Sequence, residues 1–264
     1  MKRSSGIRLC VTVAVGALSL SLITSCSDGG SDDAKNSAKS STKSSAKALT
    51  AAELKKPIIA QGDAAGYKVA VEAAVPGGRS GITADEKCKP LLYVMSGLAP
   101  TDAPAEINRR VTADKKPSAT ASTDLEDMSD ADIEKALTDS MSVDMTMVAL
   151  STYDGDGAEK AVKAVSDAVA GCAGGFTGKA GGEEQKFTKV TAEKGSGAGD
   201  ESVAYAAYGA PDETDGKISA THAEVVRHGN IVATYYTLNL GAIVADKAYT
   251  VPAALITAQS AKLK

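Results

Sequence analysis

Two alternating runs near the C-terminus, residues 221–228 and 231–240, are separated only by Gly229-Asn230. A two-residue link of Gly and Asn is the signal of a tight hairpin, so these runs read as neighbouring antiparallel strands. This pairing constrains the fold most, because two further strand-like runs, 185–192 and 201–208, lead into it. Earlier, Gly66-Tyr67 opens a run in which Val69, Val71, Ala73 and Val75 alternate with Lys68, Ala70, Glu72 and Ala74. Pro76-Gly77-Gly78 ends it. Val143, Met145, Met147 and Ala149 alternate with Asp144, Thr146 and Val148, which predicts another strand. Residues 99–127 are rich in Pro, Ala, Thr, Ser, Asp and Lys and read as a long exposed loop, with a short strand at 106–112.

Helices fall between and around these runs. Thr50 and Glu53 have the spacing of a capping box, and a short helix broken near Pro57 is expected there. Asp85 is placed to cap a helix through Cys88, Leu91, Leu92 and Met95. Residues 129–139 read as helix, with Asp130, Asp132 and Glu134 near the positive end of its dipole. The clearest helix is 155–172, where Ala158, Ala161, Val162, Val165, Ala168, Val169 and Cys172 form one apolar stripe. Gly174-Gly175 stops it, and residues 251–263 read as a closing helix. The pattern predicts an α+β fold: an antiparallel sheet with flanking helices, in a single domain at 49–264. With no Trp and two Phe, its core has to come from Val, Ile, Leu, Ala and a few of the eight Tyr.

The N-terminus has a different character. Lys2, Arg3 and Arg8 precede an almost wholly apolar run over residues 9–23, so residues 1–25 read as a secretory signal peptide. The run is too short for a comfortable membrane span. Leu22-Ile23-Thr24-Ser25-Cys26 resembles a bacterial lipobox. The resemblance implies cleavage after Ser25 and a diacylglycerol thioether on Cys26. The lipid bilayer is then a partner through the acylated Cys26, and the protein sits on the extracytoplasmic face of the cell membrane. The alternative is a secreted protein whose Cys26 merely lies near the cleavage site. Residues 26–48 read as the lipidated cysteine and a disordered tether: beyond Cys26 no apolar side chain exceeds Ala, so burial cannot offset the entropy of ordering. A flexible chain of that length spans roughly 25 Å.

The formal net charge is −4, and losing the three basic residues of the leader leaves −7. That balance argues against nucleic acid as a partner and against polybasic adsorption to a membrane. Cys10 is lost with the leader and Cys26 is lipidated, so Cys88 and Cys172 remain. Two thiols in one domain outside the cell pair as a rule, and a disulfide between them is expected. The alternative is two buried, unpaired thiols. No metal is expected, because His222 and His228 give the distant cysteines no ligand spacing.

A family pattern now emerges. It runs from a helix to Gly66-Tyr67 opening a strand, then Cys88 ahead of Pro90-Leu91. A later strand and an amphipathic helix ending in Cys172 follow, with Phe176 beyond. Val225-Val226-Arg227-His228-Gly229-Asn230 lies in the last strands. Over residues 49–264 this resembles actinobacterial lipoproteins related to the extracellular sensor domain of PknH-type Ser/Thr kinases. The resemblance implies an antiparallel sheet with flanking helices, a cleft that binds a ligand, and no catalytic activity. The chain departs from it in having one potential disulfide where the kinase sensor domains tend to have two. It also carries no kinase and no transmembrane helix.

Other motifs weigh little. Ser40/Lys43 and Ser44/Lys47 match S-x-x-K, but they lie in the tether and K-T-G is absent. Residues 174–179 hint at a phosphate loop, yet position 173 is Ala and Ala180 stands where magnesium needs Ser or Thr. Asp154/Asp156 and Asp130/Asp132/Glu134 lack the ligand run of a calcium loop and read as helix-start residues. His222, Glu224 and His228 share a strand face, with the histidines about 20 Å apart, too far to share a metal; Arg227 points the other way and reads as solvated or ion-paired.

In residues 231–240, Val232, Tyr236, Leu238 and Leu240 share the parity that reads as core. Tyr235, Thr237 and Asn239 share the other, and an apolar plate beside two hydrogen-bonding groups is the mixture a ligand site needs. An ordinary solvated sheet face shows the same mixture. The expected function is therefore a lipid-anchored binding or sensor-like lipoprotein without cofactor or catalysis, engaging a small ligand or a cell-envelope partner. A carrier of an apolar ligand or lipid is the alternative. A cell-wall hydrolase would need clustered His and acids, which the sequence does not group.

Overall fold

The computed structural model describes residues 46–71, 75, 77–114, 129–211 and 216–264. The leader, Cys26, the tether up to residue 45 and the serines of both S-x-x-K matches lie outside the described residues. So do residues 72–74 and 76 of the first expected strand and its stop, and 115–127 of the expected loop.

The chain opens with helix α1 (Ala51–Leu54), whose capping box is complete: Thr50 accepts from the Glu53 N–H and Glu53 reaches back to the Thr50 N–H. Strand β1 (Tyr67–Ala70) follows, then a 3₁₀ turn at Arg79–Gly81 and the two-residue strand β2 (Thr83–Ala84). Helix α2 (Lys89–Met95) starts later than expected. Cys88 occupies its N-cap position and Pro90 its first turn. A proline ring is tolerated there and would break the helix further in. Asp85 instead closes the preceding turn, its carbonyl accepting from the Cys88 N–H at 2.8 Å.

Strand β3 (Ala105–Ala113) is a full interior strand, longer than the short segment expected within a loop. Its polar residues hid the two buried ones, Ile107 and Val111, that anchor it. Helix α3 (Asp130–Met141) is capped by Ser129, which accepts from the Asp132 N–H. Strand β4 (Met145–Thr152) leads into helix α4 (Gly157–Gly171). The α4 stripe of Ala158, Ala161, Val162, Val165, Ala168 and Val169 is buried as the periodicity requires.

The Gly-rich exit of α4 continues, unexpectedly, into strand β5 (Phe176–Ala180). Gly175 has φ +89°, and a Cβ there would stand 2.3 Å from the Phe187 carbonyl oxygen, so the chain can enter β5 only through glycine. Strands β6 (Glu183–Glu193), β7 (Glu201–Pro211), β8 (Ile218–His228) and β9 (Ile231–Leu238) complete the sheet. Helices α5 (Leu240–Val244) and α6 (Ala253–Ala261) close the chain. Leu240 thus leaves the expected strand, because the Asn239 side chain accepts from the Ala242 N–H and starts α5.

The strands form one antiparallel sheet in the order β1-β3-β4-β9-β8-β7-β6-β5-β2. The fold is α+β, with helices on both faces. On one face α4 and α2 pack on β6 to β9 through Val162, Val165, Leu91, Tyr205, Val225 and Val232. On the other, α1 and α6 cover β4, β8 and β9 through Leu54, Leu255, Ile256, Val148, Leu150, Val226 and Tyr235. The central strands are therefore buried on both sides, and residues 146–152 of β4 are buried without a break.

Candidate functional site

Tyr235, Thr237 and Asn239 do not form a cleft. Tyr235 is fully buried beneath α6, and burial pushes its phenol pKa up. The Thr237 hydroxyl is buried against that of Thr146, 2.8 Å away on β4. Asn239 caps α5 and donates to Asp144 Oδ1 at 2.7 Å. It reaches the surface only at the edge of a polar depression of about 530 Å³ shared with Asp144, Lys247 and Tyr249. The alternation in β9 was sound, but α6 roofs the face expected to be open.

His222 and Glu224 on that face, and Arg227 on the opposite face of β8, are engaged within the protein. His222 Nδ1 lies 3.0 Å from Glu193 Oε1, with the Tyr249 ring edge-on at 4.7 Å. Burial pushes the Tyr249 phenol up to about 12. Buried Glu224 accepts from the Ser196 N–H at 2.8 Å and from its hydroxyl. Arg227 is ion-paired with Asp200 and Glu201. No group of three or more His, Cys, Asp or Glu placed to hold a metal occurs among the described residues. Cys88 and Cys172 are joined in a disulfide, with Cα atoms 6.0 Å apart.

The opposite face carries a different feature. The register pairs Arg110 on β3 with Met147 on β4, and Met147 with Tyr236 on β9. Opposed residues in neighbouring strands have Cβ atoms about 5 Å apart, so the three make one cross-strand row. Met145 lies on the same face of β4, two residues before Met147. The C-terminal end of α2 stands over this row with Met95 and Ser96. The sheet curls around α2, so that Ala180 at the end of β5, Gly181 in the following turn and Gln185 on β6 line the far side, joined by Ile82 and Val75. The result is an open groove of about 350 Å³.

Gly97 sets how closely α2 approaches. Its φ is +73°, and a Cβ there would lie 3.1 Å from Met147 Cε and 3.7 Å from Tyr236 Cε1. Glycine lets the chain reverse directly on top of the row. The floor is apolar and soft, and three of the six methionines of the chain line it. Ser96 is spent internally, donating to the Leu92 carbonyl at 2.7 Å. Among the described residues, Arg110, Gln185 and Tyr236, by contrast, use no side-chain hydrogen bond or ion pair. The Tyr236 phenol is protonated at neutral pH, and burial raises its pKa further above the ordinary value of 10.

Sequence reasoning missed this groove. The sequence reading places Tyr236 in the core, Met145 and Met147 on one side of a strand, and Arg110 in a short strand within an exposed loop. The available signal was the cluster of Met145 and Met147 at strand spacing, since methionine is adaptable and frequent at binding surfaces.

No protein-family model matches the sequence, and no curated protein matches it. Among solved structures, the extracellular domain of PknH from Mycobacterium tuberculosis is similar at a TM-score of 0.46 and 10% identity. The similarity covers 82% of this chain and 95% of that one. This is a distant resemblance of fold.

Proposed function

We propose that this chain is a lipid-anchored, extracytoplasmic binding module, not an enzyme, and that it takes a small, largely apolar ligand in the groove between α2, β4 and β9. The observation that carries this reading is the row Arg110–Met147–Tyr236 under Met95. It combines an apolar floor with hydrogen-bonding groups that have no partner among the described residues, the composition of a small-molecule site. The leader, the lipobox-like Leu22–Cys26 segment and the hydrophilic run after it support the location. A Cys88–Cys172 disulfide suits an oxidising compartment. The His222–Glu193 pair lies on the other sheet face, away from the groove. A groove of about 350 Å³, open to solvent, fits one short chain better than a whole two-chain lipid. That favours recognition over bulk lipid carriage.

The test is titration with the neutral fluorophore N-phenyl-1-naphthylamine. Saturable one-to-one binding is expected. Met145→Glu, at a position already 37% exposed, should weaken it severalfold with little change in melting temperature. Absence of saturable binding, or binding indifferent to Met145→Glu, would sink the reading.

A further inference from the structure

We infer that the ligand class of this groove is an anionic, single-chain amphiphile, its carboxylate held by Arg110, Gln185 and Tyr236 and its chain laid along Met95, Met145 and Met147. The inference rests on the binding reading above and adds the chemistry of the ligand.

The first argument comes from the arginines. Arg79 donates to the Ala99 and Thr101 carbonyls and pairs with Glu106 and Asp102. Arg109 donates to the Asn108 carbonyl at 2.8 Å. Arg227 is held by Asp200, Glu201 and the Gly229 carbonyl. Arg110 is the one arginine among the described residues whose guanidinium has no partner, and it stands at the groove. A free guanidinium offers five donors in a planar fork and no acceptor, which matches a carboxylate.

The second argument is charge complementarity. The chain is net negative, yet the described residues that line the groove include no Asp or Glu, and Arg110 is their only charge. An anion therefore meets an attractive point on a surface that otherwise repels it. A cationic amphiphile would meet the reverse. A neutral one would gain only a weaker, uncharged acceptor's hydrogen bond from Arg110.

The third argument is the pattern of polar groups. The Gln185 amide and the protonated Tyr236 hydroxyl line the same groove and add donors to those of the guanidinium. Donor groups from three strands around one groove suit a ligand group with several lone pairs. The floor beyond them is thioether and aliphatic, and unbranched methionine side chains adjust to chains of differing length. The small volume leaves room for one chain, not two.

The experiment compares decanoate, decanol and decyltrimethylammonium, which share a tail and differ in head charge. Binding is followed by calorimetry on the chain carrying Cys26→Ser, so that no acyl group competes. Decanoate should bind roughly tenfold more tightly than decanol, from a charged hydrogen-bonded pair at a solvent-accessible site, and the cation more weakly than either. Arg110→Gln should erase the preference for decanoate and leave decanol unchanged. Arg110→Lys should restore much of it. If all three bind alike, or Arg110→Gln keeps the preference, the inference is wrong while the groove reading stands. If no ten-carbon chain binds, both fall. Co-sedimentation with phosphatidylglycerol vesicles but no binding of monomeric decanoate would overturn the inference in favour of a bilayer surface.

Discussion

The Cys172 sulfur, at the C-terminal end of α4, is bonded to that of Cys88, at the start of α2. The bond pins α2 by the end opposite Met95, so the groove wall is held at one end by covalent chemistry and at the other by Gly97. It closes a sequence separation of 84 residues, worth about 4.5 kcal/mol in the chain-entropy model. Reduction should lower the melting temperature by about 5–15 °C. It should also weaken the binding of N-phenyl-1-naphthylamine, measured below the new transition. Thiols that alkylate freely in the folded, air-exposed protein would contradict the bond.

Gln259 is fully buried on α6. It accepts from the Ile59 N–H at 2.7 Å and donates to the Pro57 carbonyl at 2.8 Å, tying the segment after α1 to the last helix. Gln259→Leu leaves both backbone groups without partners and should cost about 2–4 kcal/mol in urea denaturation. A loss below about 0.5 kcal/mol would mean that water replaces the amide without penalty.

Gly97→Ala puts a methyl group into the closest approach between α2 and the sheet. The left-handed backbone should cost about 1–2 kcal/mol. The new Cβ would press on Met147 Cε, 3.1 Å away, and displace it into the groove. Fluorophore affinity should then fall more than Met145→Leu makes it fall. Equal affinities in the two variants would show that Gly97 matters only for its backbone.

His228 carries a pH dependence. Burial lowers its pKa below the usual 6.5, with the nearby Asp200 carboxylate opposing the shift. Its buried Nε2 has no hydrogen-bond partner among the described residues. The unfolded chain therefore takes up the proton more readily than the native one. Stability falls as pH drops through 6.5 towards the depressed native value, and this contribution levels off below it. His228→Gln should flatten that part of the pH–stability profile. An unchanged slope between pH 7 and 5.5 would assign the loss to other groups.

Cys26→Ser tests the anchor. The hydrophilic run after residue 26 has no apolar side chain larger than Ala until Leu49, so it supplies no membrane affinity of its own. The variant should leave the membrane fraction and appear soluble outside the cell. Quantitative retention with membranes would remove lipidation from the account.

The late strands and the α4 stripe were legible because alternation and the helical period are local properties of the chain. The Gly229-Asn230 hairpin and the Thr50–Glu53 capping box were legible for the same reason. Strand β5 was not: Phe176–Ala180 is only five residues long with Phe176 as its one large apolar side chain, and it becomes a strand only by pairing with β6 and β2. The length of β3 was hidden in the same way, since its polar residues pair on both sides in the sheet.

The candidate site shows where local reading ends. By itself the sequence determined that β9 has two faces, one carrying Tyr235 and the other Tyr236. It also determined that Cys88 and Cys172 were the cysteines left to pair in the folded domain. Only the tertiary structure decided which face α6 would roof, and so buried Tyr235 and left Tyr236 beside a groove. It alone brought Met95, Arg110, Met147 and Gln185, from four separate elements, around that one ring. The physical reason is that side-chain parity is set within a strand, whereas register and helix docking are set by long-range burial of both faces of the sheet.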